Sequence, residues 1–287
     1  MDRLLAAAPA PRETLRPTRL RDAMRYASLG GGKRLRPFLV VETSRLFRVP
    51  RRRALTVAAA LECVHCYSLV HDDLPAMDND ALRRGRPTVH VAFDEATAIL
   101  AGDGLLTFAF DVLSRPQAHP DSAIRVRLVS ALARAAGLGG MAGGQMLDLS
   151  AEGRFTRKGE LNTSDVKTLQ AMKTGALLRF ACTAGAILGS APSSACEALQ
   201  NYGAAVGEAF QIADDLLDVD GDAAIVGKAT GKDVVAHKAT FVSLLGVKGA
   251  RDRLSRLVDA AAKAVARFDR DADNLRAAAH FIADRRS

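Results

Sequence analysis

The chain contains no tryptophan, and its 11 phenylalanines and 3 tyrosines make aromatic residues only 5% of its 287 positions. Proteins that bind nucleic acid commonly combine a concentrated basic face with aromatic side chains that stack on bases. Here the basic residues are spread along the chain, although 40 lysines and arginines exceed 32 acidic residues and give a net charge of +8. This composition disfavours a nucleic-acid partner and favours an anionic ligand.

Cysteine is also scarce, with four residues in the chain. Cys63 and Cys66 have the C-x-x-C spacing of redox and zinc sites, but the segment "LECVHCYSLV" predicts a helix, and Cys182 and Cys196 lack a matching close spacing. We therefore expect buried structural thiols in a reducing cytoplasm. No long uncharged hydrophobic run is present, so the sequence predicts neither a secretory signal nor a transmembrane helix.

Strand signals are sparse, and helical periodicity dominates. It predicts helices near 18–28, 35–47, 52–73, 91–114, 121–137, 140–151, 164–189, 193–219, 239–247, 250–268 and 273–284. Residues 1–17, with three prolines, are expected to form a loose leader. Because several helices are apolar over much of their circumference, the sequence predicts one all-α domain over residues 18–287. This would be a single large bundle of about ten or more helices around a deep central cavity.

Two clusters of aspartates stand out in this basic chain. They are "HDDLPAMDND", with Asp72, Asp73 and Asp78, and "FQIADDLLDVD", with Asp214, Asp215 and Asp218. Either motif alone could be a solvated helix end. However, carboxylates this close repel one another, so a cation is expected beside each. In the first cluster the intervening "LPAM" could loop out and return Asp78 to Asp72. Carboxylate oxygens without accompanying cysteines suit Mg²⁺.

Basic residues accompany both clusters. "GGGKRLRP" places Lys33, Arg34 and Arg36 after three glycines at a helix start, where an anion can approach the backbone. Arg83 and Arg84 follow the first cluster, and Lys173 and Thr174 together with Lys228, Lys232 and Lys238 are expected near the second. One such group would usually be a solvated face. Basic groups beside both acidic clusters predict an active site for two anions.

Seven motifs in this order resemble those of the trans-isoprenyl diphosphate synthases: "GGKRLRP", "HDDLPAMD", "LRRGRPT", "GGQMLDL", "MKTGALL", "FQIADDLLD" and "GKATGKD". The similarity covers nearly the whole chain. It implies a Mg²⁺-dependent prenyltransferase with the isoprenoid synthase fold. Such an enzyme joins isopentenyl diphosphate to an allylic diphosphate by ionisation, condensation and elimination.

The resemblance also implies residue roles. Asp72 and Asp78, with Asp214 and Asp218, would hold about three Mg²⁺ ions per active site. Asp73 and Asp215 are further metal candidates, and Mn²⁺ could substitute for Mg²⁺. The isopentenyl diphosphate site would contain Gly32, Lys33, Arg36, His65 and Arg84. The allylic diphosphate site would contain Arg83, Lys173, Lys228, Lys232, Gln145, Asp148 and Phe210. The candidate catalytic residues are Lys173, Thr174, Gln211 and Lys228.

Product length is expected to depend on the helix before Asp72. Tyr67 and Ser68 precede Asp72 by five and four residues, which places them roughly 6–7.5 Å deeper along a helix. A tyrosine there would form a floor, as in bacterial farnesyl diphosphate synthases, although it could also be ordinary core. The expected product is therefore C15. Asn79 departs from the pattern of those enzymes and keeps a C20 product as the alternative.

Two other classes are less well supported. A terpene cyclase would not need the "GGGKRLRP" site and usually has many aromatic residues. A non-catalytic subunit of a heteromeric synthase commonly loses one aspartate motif, whereas both are present here. The large apolar helices favour a homodimer without membrane insertion. A role for Arg285 and Arg286 in closing the site stays open.

Overall fold

A computed structural model describes residues 1–7, 13–155, 162–220 and 240–284. Lys228, Lys232 and Lys238, as well as Arg285 and Arg286, lie outside the described residues. Helices form nearly all of the described regular structure. They are α1 Asp2–Leu5, α2 Thr18–Leu29, α3 Leu35–Leu46, α4 Arg51–Asp72, α5 Val89–Ala92, α6 Glu95–Ser114, α7 Ser122–Ala136, α8 Met141–Ala151, α9 Thr163–Gln170, α10 Ala176–Leu188, α11 Ser193–Asp220, α12 Phe241–Ala264 and α13 Asp273–Ala283. The prediction of an all-α bundle is confirmed.

Three short elements interrupt this helical pattern. A two-stranded antiparallel hairpin, with β1 Leu82–Arg83 and β2 Arg86–Pro87, follows the first aspartate cluster. Ala171–Gly175 is a π-helical segment between α9 and α10, and Ala266–Ala272 is a 3₁₀ helix before α13. The hairpin and the π segment carry residues that the motifs assign to the site.

The observed helices differ from the predicted ones at three places, the first being the π segment, which interrupts the single helix predicted over 164–189. The single helix expected over 91–114 is divided before α6, because the carboxylate of Asp94 accepts a hydrogen bond from the Thr97 N–H at 2.7 Å and caps α6. The helices expected over 239–247 and 250–268 are joined as α12, with a kink at Gly246, where φ is +68°.

The core lies where α4 and α10 run through the middle of the bundle. α4 packs against α3, α6 and α10, and α10 packs against α3, α7 and α11. Leu61, Leu105 and Leu178, one from each of α4, α6 and α10, are completely buried. Burial of each such side chain contributes about 2–3 kcal/mol to folding. This packing fixes α4, whose C-terminal end carries Asp72.

The first residues of the predicted leader contact the bundle. Leu5 of α1 is 3% exposed, and Asp2 forms an ion pair with Arg25 of α2 at 2.5 Å. The four cysteines are free thiols, and Cys63, Cys66 and Cys182 are buried as predicted, whereas Cys196 is only half-buried. Burial raises the pKa of Cys63 and of Cys66 to about 12, so both remain protonated at neutral pH.

Two described helices, α4 and α6, are long and apolar enough to span a membrane by length and composition alone. α4 is largely buried within the bundle and α6 partly so. Central helices of water-exposed bundles have the same composition, so these two helices give only weak support for a membrane span.

Candidate active site

A cavity of about 370 Å³ lies between α4, α8 and the π segment. Its polar lining residues are Arg36, His65, Ser68, His71, Asp72, Gln145, Lys173 and Thr174. Its apolar lining includes Met77, Met141, Met146 and Leu149, together with Tyr67. The cavity can therefore take a molecule with a charged head and a hydrocarbon tail.

The first aspartate cluster lies where α4 ends. Asp78 returns to Asp72, because the Asp78 N–H donates to the Asp72 carbonyl oxygen at 2.8 Å. The loop is closed further by hydrogen bonds from the Met77 and Asn79 amides to the Leu74 carbonyl oxygen, at 2.8 and 3.1 Å. The predicted loop over "LPAM" is thus confirmed.

The environment of Asp72 is unfavourable for a lone carboxylate. Burial, together with repulsion from Asp78 and Asp73, raises the pKa of Asp72 to about 6, although Lys173 and Arg83 act to lower it. A partly buried carboxylate with such a pKa gains stability when a cation neutralises it. This is the electrostatic condition expected of a metal ligand in the metal-free protein.

Asp73 has a different environment from its neighbour. It is 3% exposed and accepts hydrogen bonds from Arg83 Nε at 2.8 and 3.0 Å, while Arg83 Nη2 lies 2.6 Å from Asp73 Oδ1. This bidentate pair attaches the β1–β2 hairpin to the end of α4. In this structure, therefore, Asp73 holds Arg83 in place.

In the second aspartate cluster, Asp215 has the most clearly defined partners. Asp215 is 2% exposed and accepts from Gln211 Nε2 and from the Phe241 N–H, both at 2.8 Å. Gln211 Oε1 in turn accepts from the Thr174 hydroxyl at 3.2 Å. Asp215 therefore links the π segment, α11 and the start of α12. Asp214 is half-buried, and Asp218 is 8% exposed.

Lys173 reaches the cavity from the π segment. Its Nζ lies 2.5 Å from Asp148 Oδ2, and Asp148 is 9% exposed on α8. The backbones of α8 and the π segment come close here, since a Cβ added at Gly144 would lie 2.2 Å from the backbone nitrogen of Lys173. π segments often occur at functional sites because the extra residue changes the direction of the side chains around it. Here the segment presents Lys173 and Thr174 to the same cavity.

Three basic residues at the turn before α3, namely Lys33, Arg34 and Arg36, have different surroundings. Arg34, with φ of +53°, turns inward and pairs with the buried Glu62 at 2.5 Å. Lys33 is exposed, and Arg36 lies on the first turn of α3. Arg34 therefore stabilises the turn through its ion pair with Glu62.

Arg84 approaches the glycine turn closely. Its Nη1 donates to the Gly31 carbonyl oxygen at 2.6 Å, and a Cβ added at Gly32 would lie 2.5 Å from the same nitrogen. The φ of Gly32 is +108°, a conformation that other residues rarely adopt. Gly32 thus allows Arg84 to lie against the backbone beside Lys33.

Arg36 and His65 form the inner part of this basic group. Arg36 Nη1 lies 3.4 Å from His65 Nε2, and burial together with Arg36 and Arg84 lowers the pKa of His65 well below its usual value. His65 is therefore neutral and accepts at Nε2. The Arg36 guanidinium also lies 5.9 Å from the Phe210 ring centre. Its Nε is buried without a hydrogen-bond partner among the described residues, a condition that a bound anion would relieve.

Tyr67 and Ser68 both line the cavity as expected. The Tyr67 ring packs edge-on against His71 with ring centres 5.8 Å apart, and the Ser68 hydroxyl donates to the His65 carbonyl oxygen at 2.9 Å. The apolar wall formed by Met141 and Leu149 was not predicted. These two residues flank Gln145 at four-residue intervals, and that spacing was the available signal.

The donor atoms of the two aspartate clusters fit Mg²⁺ chemically. Among residues 1–7, 13–155, 162–220 and 240–284, no group of three or more His, Cys, Asp or Glu side chains is close enough to hold a metal alone. Mg²⁺ commonly uses one or two carboxylates and completes its shell with water and substrate phosphate. The arrangement thus matches metal binding that is shared with a diphosphate.

Comparison with known proteins finds similarity to prenyl diphosphate synthases in sequence and in structure. The family model described as polyprenyl synthetase matches residues 17–275. Farnesyl diphosphate synthase of Escherichia coli is 45% identical over 269 residues, which cover 92% of this chain and 88% of that protein. Geranylgeranyl diphosphate synthase of Cyanophora paradoxa is 39% identical, covering 94% and 88%. The apo crystal structure of an FPP/GFPP synthase from Zymomonas mobilis has a TM-score of 0.86 and 48% identity, covering 98% and 94%.

Proposed function

The chain belongs to the polyprenyl synthetase family and is a prenyltransferase, and we propose that it makes farnesyl diphosphate. In this proposal it condenses isopentenyl diphosphate first with dimethylallyl diphosphate and then with geranyl diphosphate. The observation that carries the proposal is the cavity, which is lined by Asp72, Lys173 and Tyr67. A cavity of about 370 Å³ lined by both charged and apolar side chains suits an allylic diphosphate of limited length.

The allylic diphosphate would be held at the two aspartate clusters. We propose Asp72, Asp78, Asp214 and Asp218 as the residues that hold about three Mg²⁺ ions, for which Mn²⁺ could substitute. Bound Mg²⁺ would neutralise the diphosphate and so make it a better leaving group. Asp73 and Asp215 support the site through Arg83 and Gln211, since their carboxylates already accept those hydrogen bonds.

Lys173 would stabilise the negative charge that develops as the C1–O bond of the allylic substrate breaks. Asp148 orients its ammonium group at 2.5 Å. The Thr174 hydroxyl and the Gln211 carbonyl would provide dipoles beside the allylic cation, and Met146 and Leu149 would help to exclude water. Lys228 and Lys232 stay proposed diphosphate contacts.

Isopentenyl diphosphate would bind at Lys33, Arg36 and Arg84, beside the neutral His65. The buried Arg36 Nε supports an anion at this place. Orientation of the two substrates would bring the double bond of isopentenyl diphosphate to the allylic C1 atom. A new C–C bond forms there, and the departing diphosphate accepts the proton that is lost.

We further propose that the enzyme acts in the cytoplasm as a homodimer. Support for an interface comes from α6, where Ile99 and Leu100 are 45% and 57% exposed. Apolar side chains that neighbour one another on a helix surface favour burial against a partner.

A C20 product is the second candidate. It is favoured by Asn79 and by the 39% identity to a protein named geranylgeranyl diphosphate synthase. The residues proposed for bond cleavage and condensation would be the same for both products. Only the depth available beyond Tyr67 would differ.

A product assay tests the proposal. Purified protein would receive Mg²⁺, isopentenyl diphosphate and, separately, C5, C10 and C15 allylic diphosphates, with products identified by mass spectrometry. C15 product from the C5 and C10 primers, with little extension of the C15 primer, is expected. A C20 product would overturn the assigned length, and no product from folded protein with Mg²⁺ would overturn the proposed reaction.

A further inference from the structure

The loop over residues 74–79, here called the aspartate loop, carries both Asp78 and the cavity residue Met77. Its internal hydrogen bonds run to the carbonyl oxygens of Asp72 and Leu74. Its other contacts must come from the rest of the chain, because a loop of this length has little stability alone. The carbonyl oxygens of Ala76 and Met77 provide the attachment points.

Arg154 occupies both attachment points. Its Nη1 donates to the Ala76 carbonyl oxygen at 2.9 Å, and its Nη2 donates to the Met77 carbonyl oxygen at 2.7 Å. The side chain remains 36% exposed, so these bonds form at the rim of the bundle. The planar fork of a guanidinium can reach two neighbouring carbonyls at once, which the single nitrogen of lysine does less well.

Arg154 is itself held in place just after α8. Its Nε lies 3.4 Å from Glu152 Oε2, and its backbone N–H donates to the Leu149 carbonyl oxygen at 3.3 Å. The chain turns through Gly153, whose φ is +87°. Because α8 also carries Gln145 and Asp148, Arg154 connects the aspartate loop to a helix that lines the cavity.

We propose that Arg154 is a positioning residue for the first aspartate cluster. By holding the aspartate loop against α8, it keeps Asp78 beside Asp72 and so sets the affinity of this cluster for a metal-bound diphosphate. The proposal rests on the proposed function, which assigns the allylic diphosphate to this cluster. Arg154 itself is not proposed to touch the substrate.

Amide hydrogen exchange in the metal-free protein tests the first step. Arg154→Gln should increase exchange in the peptide over residues 74–79 about tenfold, the effect of losing one to two net hydrogen bonds. Arg154→Lys should give a smaller increase. Unchanged exchange in Arg154→Gln would overturn the proposal.

Arg45 provides a matched control. Its guanidinium likewise joins a nearby carboxylate, that of Glu42 at 3.1 Å, to a backbone carbonyl, that of Asp271 at 2.7 Å. It lies on α3, nine residues beyond Arg36, or roughly 13 Å along the helix. Arg45→Gln should leave amide exchange over residues 74–79 unchanged from the parent protein. If Arg45→Gln increased that exchange as much as Arg154→Gln, the increase would reflect a general loss of stability, and the proposal would be overturned.

Binding of inorganic pyrophosphate with Mg²⁺, measured by calorimetry, tests the second step. Arg154→Gln should raise its Kd about tenfold, with Arg154→Lys between it and the parent. In turnover, the KM for the allylic diphosphate should rise while the KM for isopentenyl diphosphate stays unchanged. Equal pyrophosphate affinity in the parent and Arg154→Gln, or an equal rise in both KM values, would overturn the proposal.

These results separate this inference from the proposed function. If the parent protein binds Mg²⁺–pyrophosphate but forms no prenyl product, the proposed reaction fails. The exchange and binding comparisons would still support or overturn the role of Arg154.

Discussion

Replacement of Asp72 by asparagine should stabilise the metal-free protein while it removes activity. Asparagine has nearly the same shape as aspartate but carries no charge. Burial, with Asp78 contributing, raises the pKa of Asp72 to about 6, so its charged form is disfavoured in the folded chain. The same charge would be needed to hold Mg²⁺. Turnover of Asp72→Asn should fall by about a hundredfold or more.

The size of the stabilisation follows from this pKa. A rise of about two units from an ordinary aspartate corresponds to about 3 kcal/mol of unfolding free energy in the metal-free protein. Above about pH 6, Asp72 is charged in both the folded and unfolded chains, so the full penalty is present. As the pH falls through about 6, the folded chain takes up the proton first and the penalty declines. It is absent below about pH 4, where both states are protonated.

Thermal unfolding in EDTA measures this effect. At about pH 7.5, Asp72→Asn should have a Tm about 5 °C above that of the parent, and the difference should shrink between about pH 6 and pH 4. Asp22→Asn, at a side chain that is 52% exposed on α2, is the control and should change little. A lower Tm for Asp72→Asn in EDTA, or a gain that does not depend on pH, would refute the reasoning.

Three further predictions concern pocket length, diphosphate binding and stability. Tyr67→Ala and Tyr67→Met should lengthen the product beyond C15 in a mass-spectrometric assay, and unchanged C15 from both would remove Tyr67 from the account. Gly32→Ala should raise the KM for isopentenyl diphosphate about tenfold, because its Cβ would meet the Arg84 guanidinium. Gly31→Ala, which is strained but has open space around its Cβ, should raise it less, so equal effects would argue against the contact. Asp215→Ala should lower the unfolding free energy by about 2–4 kcal/mol in urea titrations, whereas a change within about 0.5 kcal/mol would show that its hydrogen bonds contribute little.

Most of the helical framework could be predicted from the sequence because hydrophobic periodicity extends over long segments. The prediction of 52–73 corresponds to Arg51–Asp72, and that of 35–47 to Leu35–Leu46. The break before α6 also has a signal in the sequence, because Asp94 is a favoured helix-capping residue. Apolar residues continue on both sides of Asp94, however, and they favour one uninterrupted helix. The π segment had no comparable signal, since one extra residue barely alters a pattern averaged over several turns.

Several residues that line the cavity were among those singled out in the sequence, but the different contacts of neighbouring residues within each motif could not be predicted. Asp72 and Asp73 are adjacent in sequence, yet one lines the cavity and the other pairs with Arg83. Arg34 similarly pairs with the buried Glu62, whereas the adjacent Lys33 is exposed. Such differences depend on which face of a helix end or turn meets the bundle, and tertiary packing decides this. The attachment of the aspartate loop by Arg154 likewise joins segments that are distant in sequence.

The central claim is that both aspartate clusters act together on one allylic diphosphate. The most direct measurement compares turnover of geranyl diphosphate and isopentenyl diphosphate by the parent protein, Asp72→Ala and Asp214→Ala in Mg²⁺. Circular dichroism would confirm that each variant is folded. The account predicts C15 product from the parent and a loss of about a hundredfold or more in each variant. Near-parental turnover in either folded variant would contradict it.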